Sequence, residues 1–310
     1  MRRIEIAGRV IDDLSPCYVI AEIGHNHGGS VDTAVQMIRV AAACGADAAK
    51  LQKRENKTLY ADTLLAQPYE NENSYGKTYG EHRDALELGV TGYSACLSAA
   101  RQANVTCFAT AFDEASADFL MEAGVPAIKI ASGGLTDRAL LKHVAALHIP
   151  IILSTGGGTF KEIDAAVHTV AAFHNQLAIL HCTAAYPVRD FAELNLRCIA
   201  TLRDEYPDLV IGWSGHDSGI AMAVAAYTLG ARIIEKHFTL NRANKGTDHA
   251  FSLEPSGLAK LSRDLRRAQS AMGDGVKRYL ASEVGPISKM RRREAPDGLR
   301  ITGEKDALAS

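Results

Sequence analysis

Residues 150–173 read PIILSTGGGTFKEIDAAVHTVAAF. Ile151, Ile152 and Leu153 form a short apolar run without polar alternation, so both of its faces are expected to be buried. The run ends on Ser154 and Thr155, and three glycines turn the chain. Thr159 and Glu162 then stand at capping-box spacing, and Ile163, Ala166, Val167 and Val170 repeat at helical period. A doubly apolar strand, a glycine-rich turn and an amphipathic helix together make one strand–helix unit of a parallel sheet.

The same unit recurs on both sides of this stretch. Apolar runs stand at YVIAEI (18–23), AAKLQ (48–52), TCFATA (106–111), AIKI (127–130), IILS (151–154), AILHC (178–182), VIGW (210–213) and IIEKH (233–237). VDTAVQMIRVAAACG follows Ser30, a good N-cap, and stops at Gly45. SGLAKLSRDLRRAQSAM repeats Leu258, Leu261, Leu265, Ala268 and Met272 and stops at Gly273. Eight such repeats predict a closed (β/α)8 TIM barrel, which typically takes about 250 residues. An open doubly wound sheet would carry G-x-G-x-x-G after its first strand, and AEIGHNHGGS does not have that spacing.

The barrel domain is expected over 1–285. Residues 1–16 (RIEIAGRVI) read as a hairpin turning at Gly8-Arg9 and plugging the barrel bottom. Residues 53–93 read as a polar insertion after the second strand, and the gap from Gln52 to Ala111 requires one. The charged stretch after Gly273 leads to a C-terminal tail over 286–310, with MRRRE at 290–294. Composition excludes some functions. Lys+Arg is 34 and Asp+Glu is 36, a net charge of −2, so the whole surface has no electrostatic case for nucleic acid or an anionic membrane. No apolar run is long enough for a spanning helix. MRRIEIAGRVIDD lacks the apolar core of a signal peptide. Six scattered cysteines without a Cys-x-x-Cys pair read as reduced thiols in a cytoplasmic protein.

In a barrel the site lies at the C-terminal ends of the strands. The first run carries Glu22 there, the second Lys50 and Gln52, the third Thr110. The fourth carries Lys129, with Ser132 just beyond. Ser154 and Thr155 end the fifth, and His181 and Thr183 flank the end of the sixth. Ser214 and His216 follow the seventh, and Glu235 and His237 close the eighth. Alternation puts Lys50 with Gln52, and Glu235 with His237, on one face. An unpaired buried charge costs several kcal/mol, so charged residues in four buried strands point to a site. An internal salt-bridge network is the bland alternative. Two lysines suit an anionic substrate, and the turns ASGG (131–134) and STGGG (154–158) offer N–H groups to a phosphate. His216 and His237 end adjacent strands and could share a divalent metal. His143, His148, His168 and His174 read as helical surface histidines.

These residues fall in motifs that resemble the sialic acid synthase (N-acetylneuraminate synthase) family: AEIGHNHGG (21–29), ADAAKLQ (46–52), AIKIASGG (127–134), PIILSTGGG (150–158), LHCTAAYP (180–187), IGWSGH (211–216) and EKHFTLNRANKGTDHAFSLEP (235–255). The resemblance covers residues 1 to about 285. It implies a homodimeric barrel that condenses phosphoenolpyruvate with the open-chain aldehyde of a sugar. It further implies that Lys50 and Lys129 hold phosphoenolpyruvate, with Ser132, Ser154 and Ser214 around its phosphate. Glu22 would handle protons or orient water, and Gln52, Thr110, Tyr186, Glu235 and Asp248 would line the sugar site. His216 and His237 would bind the divalent metal, Mn or Mg. A metal-dependent aldolase or lyase on the same barrel and a non-catalytic scaffold are the competing readings.

The chain departs from the family pattern in four places. Ser132-Gly133-Gly134 replaces the usual Ser-Gly-Glu, Ala184 stands where Asn is common, and Ser214-Gly215-His216 replaces Ser-Asp-His. The family's C-terminal antifreeze-like domain, which reaches over a partner's site, has no counterpart in the matched stretch. The insertion and the arginine-rich tail are expected to take over that lid role, with Arg83 and Arg291 as candidates.

Overall fold

The computed structural model describes residues 2–290 in full and the backbone of residues 292–295 and 298–301. Arg291 lies outside the described residues. The chain divides into two compact units, Met1–Gln269 and Ser270–Ser310. The first unit therefore ends before the expected boundary at 285.

The eight apolar runs become parallel strands β3 (Tyr18–Gly24), β4 (Ala48–Lys53), β5 (Thr106–Ala111), β6 (Ile128–Ile130), β7 (Ile151–Ser154), β8 (Leu177–Cys182), β9 (Val210–Gly215) and β10 (Ile233–His237). They close in sequence order, with β10 pairing β3, into a (β/α)8 barrel. Register sets Glu22 beside Lys50 on one side and His237 on the other. It also sets Thr110 between Gln52 and Lys129, and Ser214 beside Glu235. Each strand is buried on both faces, as a parallel sheet under helices requires. Ile20, Phe108, Ile152 and Leu180 lie two residues before cavity-lining positions, share their face, and are all buried.

The helices are α1 (Val31–Ala43), α2 (Asn56–Leu59), α3 (Asp62–Leu65), α4 (Tyr79–Leu86), α5 (Val90–Gln102), α6 (Glu114–Ala123), α7 (Arg138–Ala146), α8 (Phe160–Ala171), α9 (Cys198–Glu205), α10 (Ala221–Thr228) and α11 (Pro255–Met272). Ser30 caps α1 through Thr33 N–H, and Thr159 with Glu162 makes both bonds of a capping box on α8. Helices α2 to α4 belong to the insertion, which gives way to the outer ring at α5. That helix buries Tyr93, Cys96, Leu97 and Ala100. The expected insertion limit at 93 therefore falls inside a barrel helix. His148 and His174 follow α7 and α8 rather than lying in them, and His148 takes a positive φ of 53°.

Strands β1 (Arg3–Ile6) and β2 (Arg9–Asp12) pair antiparallel. Their turn is Ala7-Gly8, with φ of 52° and 78°, one residue earlier than expected. A two-residue turn that matches strand twist wants φ > 0 at both central positions, and Arg9 opens the second strand instead. Ile4, Ile6 and Ile11 are fully buried. Glu5 N–H donates to Gln176 Oε1 at 3.0 Å, and Arg9 pairs with Asp47. Asp47 and Gln176 immediately precede β4 and β8, so the hairpin closes the N-terminal end, opposite the site.

The second unit contains α12 (Val284–Met290) and an antiparallel pair, β11 (Arg292–Ala295) with β12 (Gly298–Ile301). Among the described residues no helix is long and apolar enough to cross a membrane.

Candidate active site

A cavity of about 370 Å³ opens at the C-terminal ends of the strands. Every side chain proposed above as catalytic, substrate-binding or metal-binding lines it. Strands β3 to β5 supply Glu22, Lys50, Gln52 and Thr110, and β6, β7, β9 and β10 supply Lys129, Ser154, Ser214, Glu235 and His237. The loops beyond the strands add Ser132, Tyr186, His216 and Asp248, and α4 adds Arg83. His181 is not among them: its Nε2 lies 2.7 Å from Leu194 O, a satisfied core histidine.

The deep wall is an ion cluster. Lys50 Nζ lies 2.6 Å from Glu22 Oε2 and 3.7 Å from Glu235 Oε2, and it donates to Thr110 Oγ1 at 2.7 Å. Gln52 Nε2 donates to Glu22 Oε1 at 2.6 Å, and Ser214 Oγ donates to Glu235 Oε1 at 3.1 Å. The two carboxyls are driven apart. Burial pushes Glu22 up, and Lys50 opposes this only in part, while Glu235 adds to it. Burial also pushes Glu235 up, but Lys50, Lys129 and His237 together outweigh it and hold its pKa at about 2. Two carboxyls with divergent pKa values can divide acid and base roles between them.

Lys129 Nζ donates to Ser154 Oγ at 2.5 Å and to Ile130 O at 3.1 Å. Burial pulls its pKa down. Among the described residues no carboxylate lies within ion-pairing distance of it. The two glycine turns touch, because Gly156 N–H donates to Ser132 Oγ at 3.0 Å.

The His216 and His237 rings stand 5.3 Å apart between Tyr186 and Phe251. His216 Nδ1 lies 3.0 Å from Thr183 O, which assigns its proton to Nδ1 and leaves the Nε2 lone pair available. His237 Nδ1 is buried, has no hydrogen-bond partner among the described residues, and lies 3.7 Å from Asp248 Oδ2. Burial draws His216 down to about 3 and lowers His237 as well, so both rings are neutral at pH 7. Neutral imidazole is the metal-binding form. Paired neutral rings, one with an orphaned buried nitrogen, fit a divalent cation. Among the described residues no three His, Cys, Asp or Glu side chains converge on one point, so such a cation would complete its shell with water or substrate, as Mg and Mn commonly do.

The structure adds cavity residues that the strand-end reading missed, among them His25, Arg54, Tyr69, Tyr75, His82 and Cys182. Arg54 was within reach, since it continues the same-face series Lys50, Gln52, Arg54. The insertion's aromatic residues carried no such signal. They reach the cavity because Tyr75 OH donates to Lys245 O at 2.6 Å and Gly246 N–H donates to Asn73 Oδ1 at 3.0 Å. These bonds tie the insertion to the loop between β10 and α11.

The Ser-Gly-His departure has a packing cause. A Cβ on Gly215 would lie 2.0 Å from Trp213 Cη2. Behind this ring Lys236 Nζ pairs with Asp217 Oδ1 at 2.7 Å, both residues being buried. A Cβ on Gly134 would likewise meet Ile130 Cγ2 at 2.9 Å.

Comparison with known proteins identifies the family of the chain. The NeuB family model matches residues 37–277. N-acetylneuraminate-9-phosphate synthase of Mus musculus is 38% identical over 283 residues, covering 91% of this chain and 79% of that protein. N,N'-diacetyllegionaminic acid synthase of Campylobacter jejuni is 37% identical over 278 residues, covering 88% and 83%. The crystal structure of N-acetylneuraminic acid (sialic acid) synthetase from Leptospira borgpetersenii, in complex with citrate, matches with a TM-score of 0.79 at 32% identity. That match covers 92% of this chain and 95% of that one. The chain belongs to the NeuB family.

Proposed function

We propose that this chain is a transferase that condenses phosphoenolpyruvate with the open-chain aldehyde of a sugar, yielding a 2-keto-3-deoxy sugar acid and inorganic phosphate. One observation carries the reading. Lys50 and Lys129 converge with Glu22, Glu235 and the His216–His237 pair in a single cavity, in a chain whose named relatives are sialic and legionaminic acid synthases.

The chemistry follows from these groups. The enol carbon C3 attacks the aldehyde carbon, a C–C bond forms, and the former carbonyl oxygen takes a proton. Positive charge develops at C2, where water adds. The C2–O bond to phosphate then breaks, phosphate leaves with the electron pair, and the water oxygen becomes the keto oxygen as its protons are lost. Lys50 and Lys129 hold the phosphoenolpyruvate anion, with Ser132, Ser154 and Ser214 around its phosphate. They pre-position the nucleophile in a site of low effective dielectric. Glu235, ionised, stabilises the charge at C2, and Glu22, with its raised pKa, moves protons at the added water. Gln52, Thr110, Tyr186, Asp248 and Arg83 line the sugar end. A divalent cation, Mn or Mg, held by His216 and His237 would polarise the aldehyde oxygen.

The six free cysteines support a reducing, cytoplasmic compartment. The reading includes a homodimer without nucleic-acid or membrane partners, which sedimentation velocity tests. The deciding experiment incubates the protein with phosphoenolpyruvate, Mn and a panel of aldoses, amino sugars and acylated amino sugars. Phosphate release that needs both substrates is expected, with a product whose mass is that of the sugar plus pyruvic acid (both substrates plus water, less phosphoric acid). Silence across the panel together with no binding of phosphoenolpyruvate overturns the reading.

A further inference from the structure

Behind the histidine pair, on the helix-facing side of β9 and β10, lies an ion pair that the condensation as written does not use. Lys236 and Asp217 are each 1% exposed, and neither lines the cavity. Lys236 Nζ donates to Asp217 Oδ1 at 2.7 Å and to the Asp217 backbone oxygen at 2.5 Å. The buried Trp213 ring covers the ammonium from 5.4 Å. Asp217 Oδ2 is buried with no hydrogen-bond partner among the described residues. A buried ion pair adds little net stability over apolar side chains of similar volume, so this one calls for a positional reason.

The chain order supplies it. Asp217 directly follows His216, and Lys236 directly precedes His237. His237 is fixed by the sheet: it pairs in register with Glu22, and the next N–H, of Phe238, donates to Glu22 O at 2.7 Å. His216 has no such support. The β9–β10 ladder stops at Gly215, which pairs with Lys236, one residue short of it. His216 Nδ1 bonds Thr183 O, and its own carbonyl accepts from Val188 N–H at 3.2 Å. Both partners belong to the loop after β8, so neither bond sets the distance to β10. Lys236 does so, by gripping the backbone and side chain of the next residue from the strand that carries His237.

We propose, on the reading that His216 and His237 share a divalent cation, that the Lys236–Asp217 pair is a positioning clamp that holds His216 at the spacing the cation needs. The clamp carries the β10 ladder one residue past its end. It touches neither cation nor substrate and acts through the backbone between residues 216 and 217.

The test measures Mn affinity of the metal-free protein, from the electron paramagnetic resonance of free Mn, beside Tm and calorimetric binding of phosphoenolpyruvate without metal. Lys236→Met alone strands a buried carboxylate, so the informative variant is Lys236→Met with Asp217→Val. Two apolar side chains replace the pair, and Tm should stay close to that of the unaltered protein. Its Kd for Mn should nevertheless rise by about 10- to 100-fold, the usual effect of removing an outer support of a metal ligand. Binding of phosphoenolpyruvate should be unchanged. Asp217→Asn keeps both oxygens that Nζ reaches and should lose much less Mn affinity. An unchanged Kd for Mn in the folded double variant overturns the clamp and leaves the histidine-pair and synthase readings standing. Equal losses of Mn and phosphoenolpyruvate binding mean general damage to the barrel wall and also overturn it. No Mn binding by the unaltered protein, or binding indifferent to His216→Ala, overturns the histidine-pair reading and the clamp with it.

Discussion

Restoring the family's aspartate at Gly215 should damage this protein rather than improve it. Trp213 and Gly215 lie two residues apart on β9 and share its helix-facing side. A Cβ at 215 would meet three ring carbons of Trp213 at 2.0, 2.3 and 2.4 Å. Carbon atoms rest at about 3.5–4.0 Å, so the ring must move by more than an ångström. Trp213 is 1% exposed, with the Lys236 ammonium 5.4 Å from the ring. Overpacking of this kind costs about 1–3 kcal/mol, and a carboxylate forced into the same space adds to it. Gly215→Asp should therefore lose about 3 kcal/mol or more, a fall in Tm of roughly 6 °C. Gly215→Ala isolates the Cβ and should show the smaller part of this loss. Urea and thermal denaturation measure both. If the ring is the cause, Trp213→Leu combined with Gly215→Asp should recover at least about 1 kcal/mol relative to additivity. An unchanged Tm in G215A, or strict additivity in the double variant, refutes the packing argument.

Other perturbations separate function from stability. Lys129→Met removes a buried cation that has no carboxylate in ion-pairing distance among the described residues. It should leave the Tm equal or higher while activity falls by roughly a hundredfold or more. Lys50→Met strands Glu22 and Glu235, so it should lower stability by about 3 kcal/mol as well as activity, read by denaturation beside the phosphate assay. Burial pushes Glu87 up, but its bonds to His25 and Arg54 and the Lys53 charge outweigh this and hold it below 4.5. A folded pKa lower than the unfolded one gives stability that is present above 4.5 and is lost as the pH falls through the folded value. Glu87→Gln should accordingly flatten the acid limb of a stability–pH curve, and an unaltered limb counts against the network. Asp113 caps α6 and accepts from Ser116 N–H, Ser116 Oγ and Glu55 N–H at 2.7–2.9 Å. Asp113→Ala should cost about 3 kcal/mol and Asp113→Asn much less, by urea titration.

How far the site could be read ahead depends on the kind of signal each residue carried. Lys50, Lys129 and Glu235 sit in otherwise apolar strands, where burial makes a charge conspicuous within a few residues of sequence. The hairpin turn was misplaced by one residue because Ala7, an ordinary L-residue, accepts φ of 52° there, which composition does not announce. Arg54 follows its strand by one residue and was hidden by an alternation stopped too early.

The order of strands and helices, the caps on α1 and α8, and the charged residues at the strand ends were determined by the sequence alone. Each depends on periodicity or on a side chain bonding within a turn or two of itself. Closure of the barrel decided the rest. It chose Glu22 over other acids as the partner of Lys50 and brought Tyr75 to Lys245 across the cavity mouth. It also stacked Trp213 against Gly215 and, among the described residues, left Arg83 with no carboxylate in ion-pairing distance. Those outcomes hinge on distances between segments far apart in the chain, which only register and packing set.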